Sequence, residues 1–204
     1  MKQISLIPAN WKTQFTHGGV LRQKRSGRGI RPLSCKEPLH LVFKAHRASL
    51  REKSFRGRRS FPITQRIIRK YAKYFFVKVE QISIQGDHLH LLIRCGRRSQ
   101  FHHFFRVTAG QIAQVFEKEG LLAVTDTPKL RKTEGVTDTP ATQLQAQAKL
   151  WKHRPFSRVI RSYRALRIVK DYIQLNEKEA QGEIRYNSRR LRGISMVDWR
   201  VLWA

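Results

Sequence analysis

Residues 86–94, GDHLHLLIR, place His88 and His90 two positions apart in an otherwise apolar run. On a strand, residues i and i+2 point the same way, about 6–7 Å apart along the chain, so the two imidazoles would share one face and Leu89 and Leu91 the other. Two imidazoles side by side can hold one divalent cation. Because neutral ligands leave the cation most of its charge, such a centre suits Lewis-acid chemistry. A second group lies in DYIQLN, residues 171–176. On a helix, Tyr172 and Asn176 would share one side, about 40° apart. A phenol with an ordinary pKa near 10 is a weak nucleophile, but one beside a cation can lose its proton. The amide oxygen of Asn176 could complete the coordination of a hard cation. Asp87, in the turn before His88, could touch that cation or simply shape the turn.

The charge balance names the partner. The chain has 204 residues, with 42 Lys and Arg against 14 Asp and Glu, a formal +28. That is far more than the solubility of a small domain requires, and such a surface repels itself unless a polyanion is near, which points to nucleic acid. A membrane fits less well. No window approaches 18 apolar residues, and the basic residues do not line a single amphipathic helix. Cys35 and Cys95 are far apart and lack metal-binding spacing, which argues for a reducing compartment, the cytoplasm, and the N-terminus has no apolar core of signal-peptide length. A chain of this length can bury a core without staples, so stability does not demand a metal.

The elements that must position these groups follow from periodicity. Residues 1–36 form a basic, glycine-containing arm in which Arg22, Lys24, Arg25, Arg28 and Arg31 would contact phosphates. PLHLVFKA, residues 38–45, reads as a strand, and the loop 44–59 adds Arg47, Arg51, Arg56, Arg58 and Arg59 as further phosphate contacts that position without specifying. Pro62 opens a helix with Ile63, Ile67, Ile68, Tyr71 and Phe75 on one side. VKVEQISI and HLHLLIRC form a hairpin around Gln85-Gly86-Asp87. Ser99 would cap a second helix carrying Phe101, Phe104, Phe105, Ile112, Val115 and Phe116 inward, and Gly120 would close it. His102 and His103, adjacent on that helix, should divide into one core and one surface residue, and His17, His40, His46 and His153 are single histidines without a local partner. VTDTP occurs at 124–128 and again at 136–140, marking about 121–150 as a linker inserted at a tolerated loop. LWKHRPFSRVI, residues 150–160, reads as a last strand, at an edge or interrupted because of Pro155. A helix over 162–180 follows, with Leu166, Val169 and Ile173 as its core stripe, and then a basic and aromatic tail, 181–204. The order β-α-β-β-α-β-α predicts an α+β fold: a ferredoxin-like βαββαβ antiparallel sheet with helices on one face, plus a C-terminal tyrosine-bearing helix. The catalytic domain would span 37–180.

A histidine-hydrophobic-histidine strand, followed by a helix with Tyr-x-x-x-Asn in a small basic ferredoxin-like domain, resembles the single-tyrosine HUH transposases. In particular it resembles the REP-associated tyrosine transposase branch. PLHLVF, LWKHRPFSRVIR and YIQLN, which is similar to that branch's YIxxNP segment, carry the resemblance over roughly residues 36–120 and 150–180. It implies a metal-dependent single-strand DNA endonuclease and strand transferase. His88, His90 and Asn176 would bind Mg²⁺ or Mn²⁺, and Tyr172 would form a 5′-phosphotyrosyl link, leaving a free 3′-hydroxyl. It also implies a hairpin or palindromic repeat as the DNA partner, and it leaves open a homodimer. Tyr163 is the rival nucleophile, but only Tyr172 has an amide one turn onward. Glu177 stands where that branch has proline, and Asp87 where it often has asparagine. Two other classes remain: a non-catalytic hairpin-binding protein, and a metal-dependent nuclease that uses water.

Overall fold

The computed structural model describes residues 15–19, 30–123 and 149–185. Their elements run β1 (Thr16–His17), β2 (Leu39–Lys44), α1 (Ser60–Tyr74), β3 (Val77–Ile84), β4 (His88–Cys95), α2 (Arg98–Lys118), β5 (Phe156–Val159) and α3 (Tyr163–Gln181), with a 3-10 turn at Arg47–Ser49. All strands join one antiparallel sheet in the order β1-β5-β2-β4-β3. From β2 to β5 this is the α+β, ferredoxin-like βαββαβ arrangement. Among the described residues no helix is long and apolar enough to cross a membrane.

Alternation along the central strands decides which side chain faces which layer. The register pairs Leu39 with Ile93, Leu41 with Leu91 and Phe43 with Leu89. All six lie in the main core beneath α1 and α2. The intervening residues, His40, Val42, His88, His90 and Leu92, therefore point to the opposite face. In β3 the apolar parity changes, since Val77 and Val79 must face the same layer as Ile82 and Ile84. The strand absorbs the change with a bulge between Val79 and Gln81. The extra residue, Glu80, pairs with Arg94 and with Lys170 Nζ at 3.4 Å.

Each helix shows why it lies where it does. α1 buries Ile67, Ile68 and Ala72, and its first amides are held by Glu52, whose Oε2 accepts from the Ser60 N–H at 3.0 Å. Gly57 leaves room for that carboxylate, because a Cβ there would lie 2.0 Å from Glu52 Oε2. α2 buries Phe101, Phe104, Phe105, Ile112 and Phe116. α3 lies across the other face of the sheet, where Val169, Tyr172 and Ile173 pack on Leu92 and Ile160. Ser162 caps α3, its Oγ accepting from the Ala165 N–H at 3.1 Å.

Four expectations need correction. Part of the arm is sheet: Thr16 and His17 pair with Arg158 and Ser157. The last strand is consequently interior, flanked by β1 and β2, although it is interrupted as Pro155 requires, with Trp151 bridging Ala45 separately. α2 starts at Arg98, one residue before Ser99, with the extended Arg97 as its N-cap and no side-chain cap bond. His102 and His103 are both exposed, His103 stacking on Phe75 at 5.9 Å.

Candidate active site

The histidine pair stands on the α3 face of the sheet, and the tyrosine helix closes over it. His88 and His90 have ring centroids 4.7 Å apart. The ring of Tyr172 meets His90 edge-on at 5.2 Å and His40 at 6.3 Å. Tyr172 and His40 are 0% exposed, His90 is 1% and Asn176 3%. Asn176 lies one turn beyond Tyr172 on the same buried flank of α3. Tyr163, at the start of the helix, is exposed.

Each imidazole of the pair is oriented through Nδ1. Asp87 Oδ1 lies 2.6 Å from His88 Nδ1, and His40 Nε2 lies 3.1 Å from His90 Nδ1. This leaves the Nε2 of each ring as its remaining polar atom. His90 Nε2 is buried and without a hydrogen-bond partner among the described residues. Burial, with Arg158 adding to it, pushes the His40 pKa down to about 3. Burial, then the charges of His88 and His40, hold His90 well below the ordinary histidine range. Both rings are therefore neutral at pH 7, the state in which imidazole can donate a lone pair. The hydrogen bond to His88 keeps the Asp87 carboxyl below its usual range despite partial burial. No set of three or more His, Cys, Asp and Glu side chains among the described residues converges to hold a metal ion. A cation here would need oxygen ligands beyond the imidazoles.

His40 is the member that sequence reasoning treated as a lone histidine. Its signal was present in LHLVFK, since His40 alternates with Leu39 and Leu41 as His90 does with Leu89 and Leu91. What joins them is the β2–β4 register, which sets His40 opposite Leu92 and Val42 opposite His90.

α3 is held over its own sheet at the hairpin end. Glu177 Oε2 accepts from the Ile84 N–H at 3.1 Å, its Oε1 pairs with Arg56 at 3.1 Å, and Gln85 Nε2 donates to the Asn176 carbonyl at 2.8 Å. Glu177→Ala is expected to lower stability by about 1–2 kcal/mol, since it strips a backbone N–H and a guanidinium of their acceptor at once. Urea unfolding with an unchanged midpoint would contradict this role.

The basic residues are placed unevenly. Arg31 is a strut, donating to Ser157 Oγ at 2.6 Å and to the Pro155 carbonyl at 2.9 Å. Arg56 is engaged as above, Arg59 pairs with Glu119 at 3.1 Å, and Arg51 donates to the Gly120 carbonyl at 3.3 Å. Arg47 and Arg58 are exposed. Arg22, Lys24, Arg25 and Arg28 lie outside the described residues, as do most of the 121–150 linker and of the 181–204 tail.

No family model matches the chain, and no curated protein matches it. Among solved structures, the chain is similar to a REP-associated tyrosine transposase bound to a REP hairpin, at 14% identity over 78% of this chain and 77% of that one, with a TM-score of 0.49. It is also similar to a candidate transposase from Deinococcus radiodurans R1, at 13% identity over 75% of this chain and 98% of that one, with a TM-score of 0.37.

Proposed function

We propose that this chain is a metal-dependent single-strand DNA endonuclease and strand transferase, a transposase-type enzyme in which Tyr172 is the nucleophile. The observation that carries the proposal is the edge-on contact between Tyr172 and His90 at 5.2 Å. It sets the only phenol buried on α3 against the paired imidazoles of β4.

The residues present fit Mg²⁺ or Mn²⁺. His90 offers a buried Nε2 with no hydrogen-bond partner among the described residues, Asp87 and His40 occupy the Nδ1 atoms, and Asn176 offers an amide oxygen on the facing helix. His88, His90 and Asn176 would hold the cation, which when bound supplies Lewis-acid polarisation of a phosphodiester oxygen. Tyr172 Oη loses its proton and attacks phosphorus, the bond to the 3′ oxygen breaks, and that oxygen leaves as a hydroxyl after gaining a proton. One ester replaces another, so the 3′-hydroxyl of a second end can reverse the step without ATP. The charge of +28 suits a single strand or hairpin as substrate.

His40 acts here as a positioning residue. By accepting from His90 Nδ1 it fixes the tautomer that leaves the Nε2 lone pair free. His40→Ala is expected to weaken activation by Mn²⁺ roughly 10- to 100-fold, seen as a raised metal requirement with the DNA-binding constant unchanged. An identical Mn²⁺ titration would remove His40 from this role.

One observation favours a second reading, a non-catalytic hairpin binder: Tyr172 is 0% exposed, as a core tyrosine would be. Labelled single-stranded hairpins incubated with the protein and Mg²⁺ or Mn²⁺, then resolved by denaturing gel and peptide mass spectrometry, separate the possibilities. The expected result is a DNA adduct on Tyr172. Tight binding without adduct or cleavage would support the binder, and cleavage without adduct a water nucleophile.

A further inference from the structure

The C-terminal end of α1 carries a second surface with a chemistry of its own. Tyr74 is 69% exposed and Phe76 79%, two of the four exposed large hydrophobic side chains among the described residues. They flank a cluster in which Tyr71 and His103 each stack on Phe75, at 6.2 and 5.9 Å, with Tyr74 edge-on to Phe75 at 4.9 Å. Lys70 Nζ lies 5.5 Å from the Tyr71 ring centroid. Arg66, Arg69, Lys70 and Lys73 on α1 and Lys78 in β3 are all exposed, and α1 contains no acidic residue.

Phe76 is held in the left-handed region at φ 52°. A residue with a Cβ is disfavoured there, and helices commonly use glycine at this point. The other two α-helices among the described residues do so: Gly120 follows α2 at φ 65° and Gly182 follows α3 at φ 80°. Only α1 ends with a bulky aromatic in that conformation, and the ring buries little surface in return. A strained, exposed aromatic at the end of a helix whose charged residues are all basic fits an unpaired base, whose face stacks on the ring while lysines meet the flanking phosphates. A protein partner fits less well, because every charged residue of α1 is basic.

We infer that Phe76 and Tyr74 form a stacking platform for unpaired bases of a single-stranded nucleic acid, separate from the histidine site. The sheet sets the separation. His88 begins β4, whereas Val77, next to Phe76, pairs with Cys95 at its far end. Seven residues of strand span about 24 Å. α1 also packs on the face opposite α3. A strand engaged at the histidines would therefore have to continue around the sheet to reach the platform.

The test uses the full-length protein in chelator, so that cleavage does not contribute. Its probes are a 20-nucleotide single strand with 2-aminopurine at successive positions and a blunt duplex of equal length. Phe76→Gly and the double variant Phe76→Gly/Tyr74→Ser are expected to weaken single-strand binding on the order of tenfold and a hundredfold. The 2-aminopurine signal should be lost, duplex binding unchanged, and the melting temperature of Phe76→Gly equal to or above that of the parent. Unchanged single-strand affinity and signal in the double variant would overturn the platform. So would an equal loss for both probes, which marks a purely electrostatic surface. A change in sedimentation of the unliganded protein without a change in DNA affinity would assign the patch to a second copy of the chain and likewise overturn it.

Discussion

Tyr172→Phe is expected to eliminate the covalent protein–DNA adduct and to lower cleavage by at least roughly four orders of magnitude, because no other group on α3 offers an oxygen nucleophile beside the histidines. The phenyl ring keeps its packing among Leu92, Val169 and Ile173, so hairpin binding and the unfolding midpoint should change little. Tyr163→Phe is the matched control, since Tyr163 lies exposed at the start of the helix and its loss should leave the adduct intact. Adduct formation by Tyr172→Phe, or a mass-spectrometric link at Tyr163, would sink the assignment.

The second large effect is on stability in mild acid. His40 is held neutral down to about 3 and His90 well below its ordinary range, whereas both take up a proton near pH 6.5 in the unfolded chain. Above 6.5 both states are neutral there and nothing is lost. As pH falls below 6.5 the unfolded state binds more protons, so folding weakens by about 1.4 kcal/mol per unit for each ring. Between pH 7.5 and 5 His40 is expected to cost about 2 kcal/mol, and His90 adds in the same direction. The carboxyls of Glu52, Glu80 and Asp87, held below their ordinary range, act with the same sign but only at lower pH, which leaves this window to the histidines, His102 and His153, also lowered by burial and neighbouring cations, acting in the same direction. Urea unfolding at pH 7.5 and 5.0 measures the difference, and His40→Gln should remove the roughly 2 kcal/mol that His40 contributes. A flat profile over that range would show that the rings are not held neutral.

What the sequence made legible is what short-range periodicity encodes. The hairpin, the shared face of His88 and His90, and the helix bearing Tyr172 and Asn176 each follow from spacing within one element. Relations between elements were not legible. A stripe on α3 does not say which face of the sheet it will cover, and His40 gained its meaning only from a register with a strand some 50 positions away. Two residues of strand at Thr16–His17 are too few to stand out from a basic, glycine-bearing stretch. Glu177 was visible as a departure from the resembling branch, but its bonds to Ile84 and Arg56 depend on how the loops fold.

Glu177, Arg56 and Gln85 fasten α3 to the sheet of the same polypeptide, and with it the phenol to its own histidines. Under the proposed chemistry a molecule so fastened would carry both halves of its own site. Specific activity should hold constant as the protein is diluted, and mixing Tyr172→Phe chains with His90→Ala chains should restore nothing, because neither defective copy can lend the other its missing half.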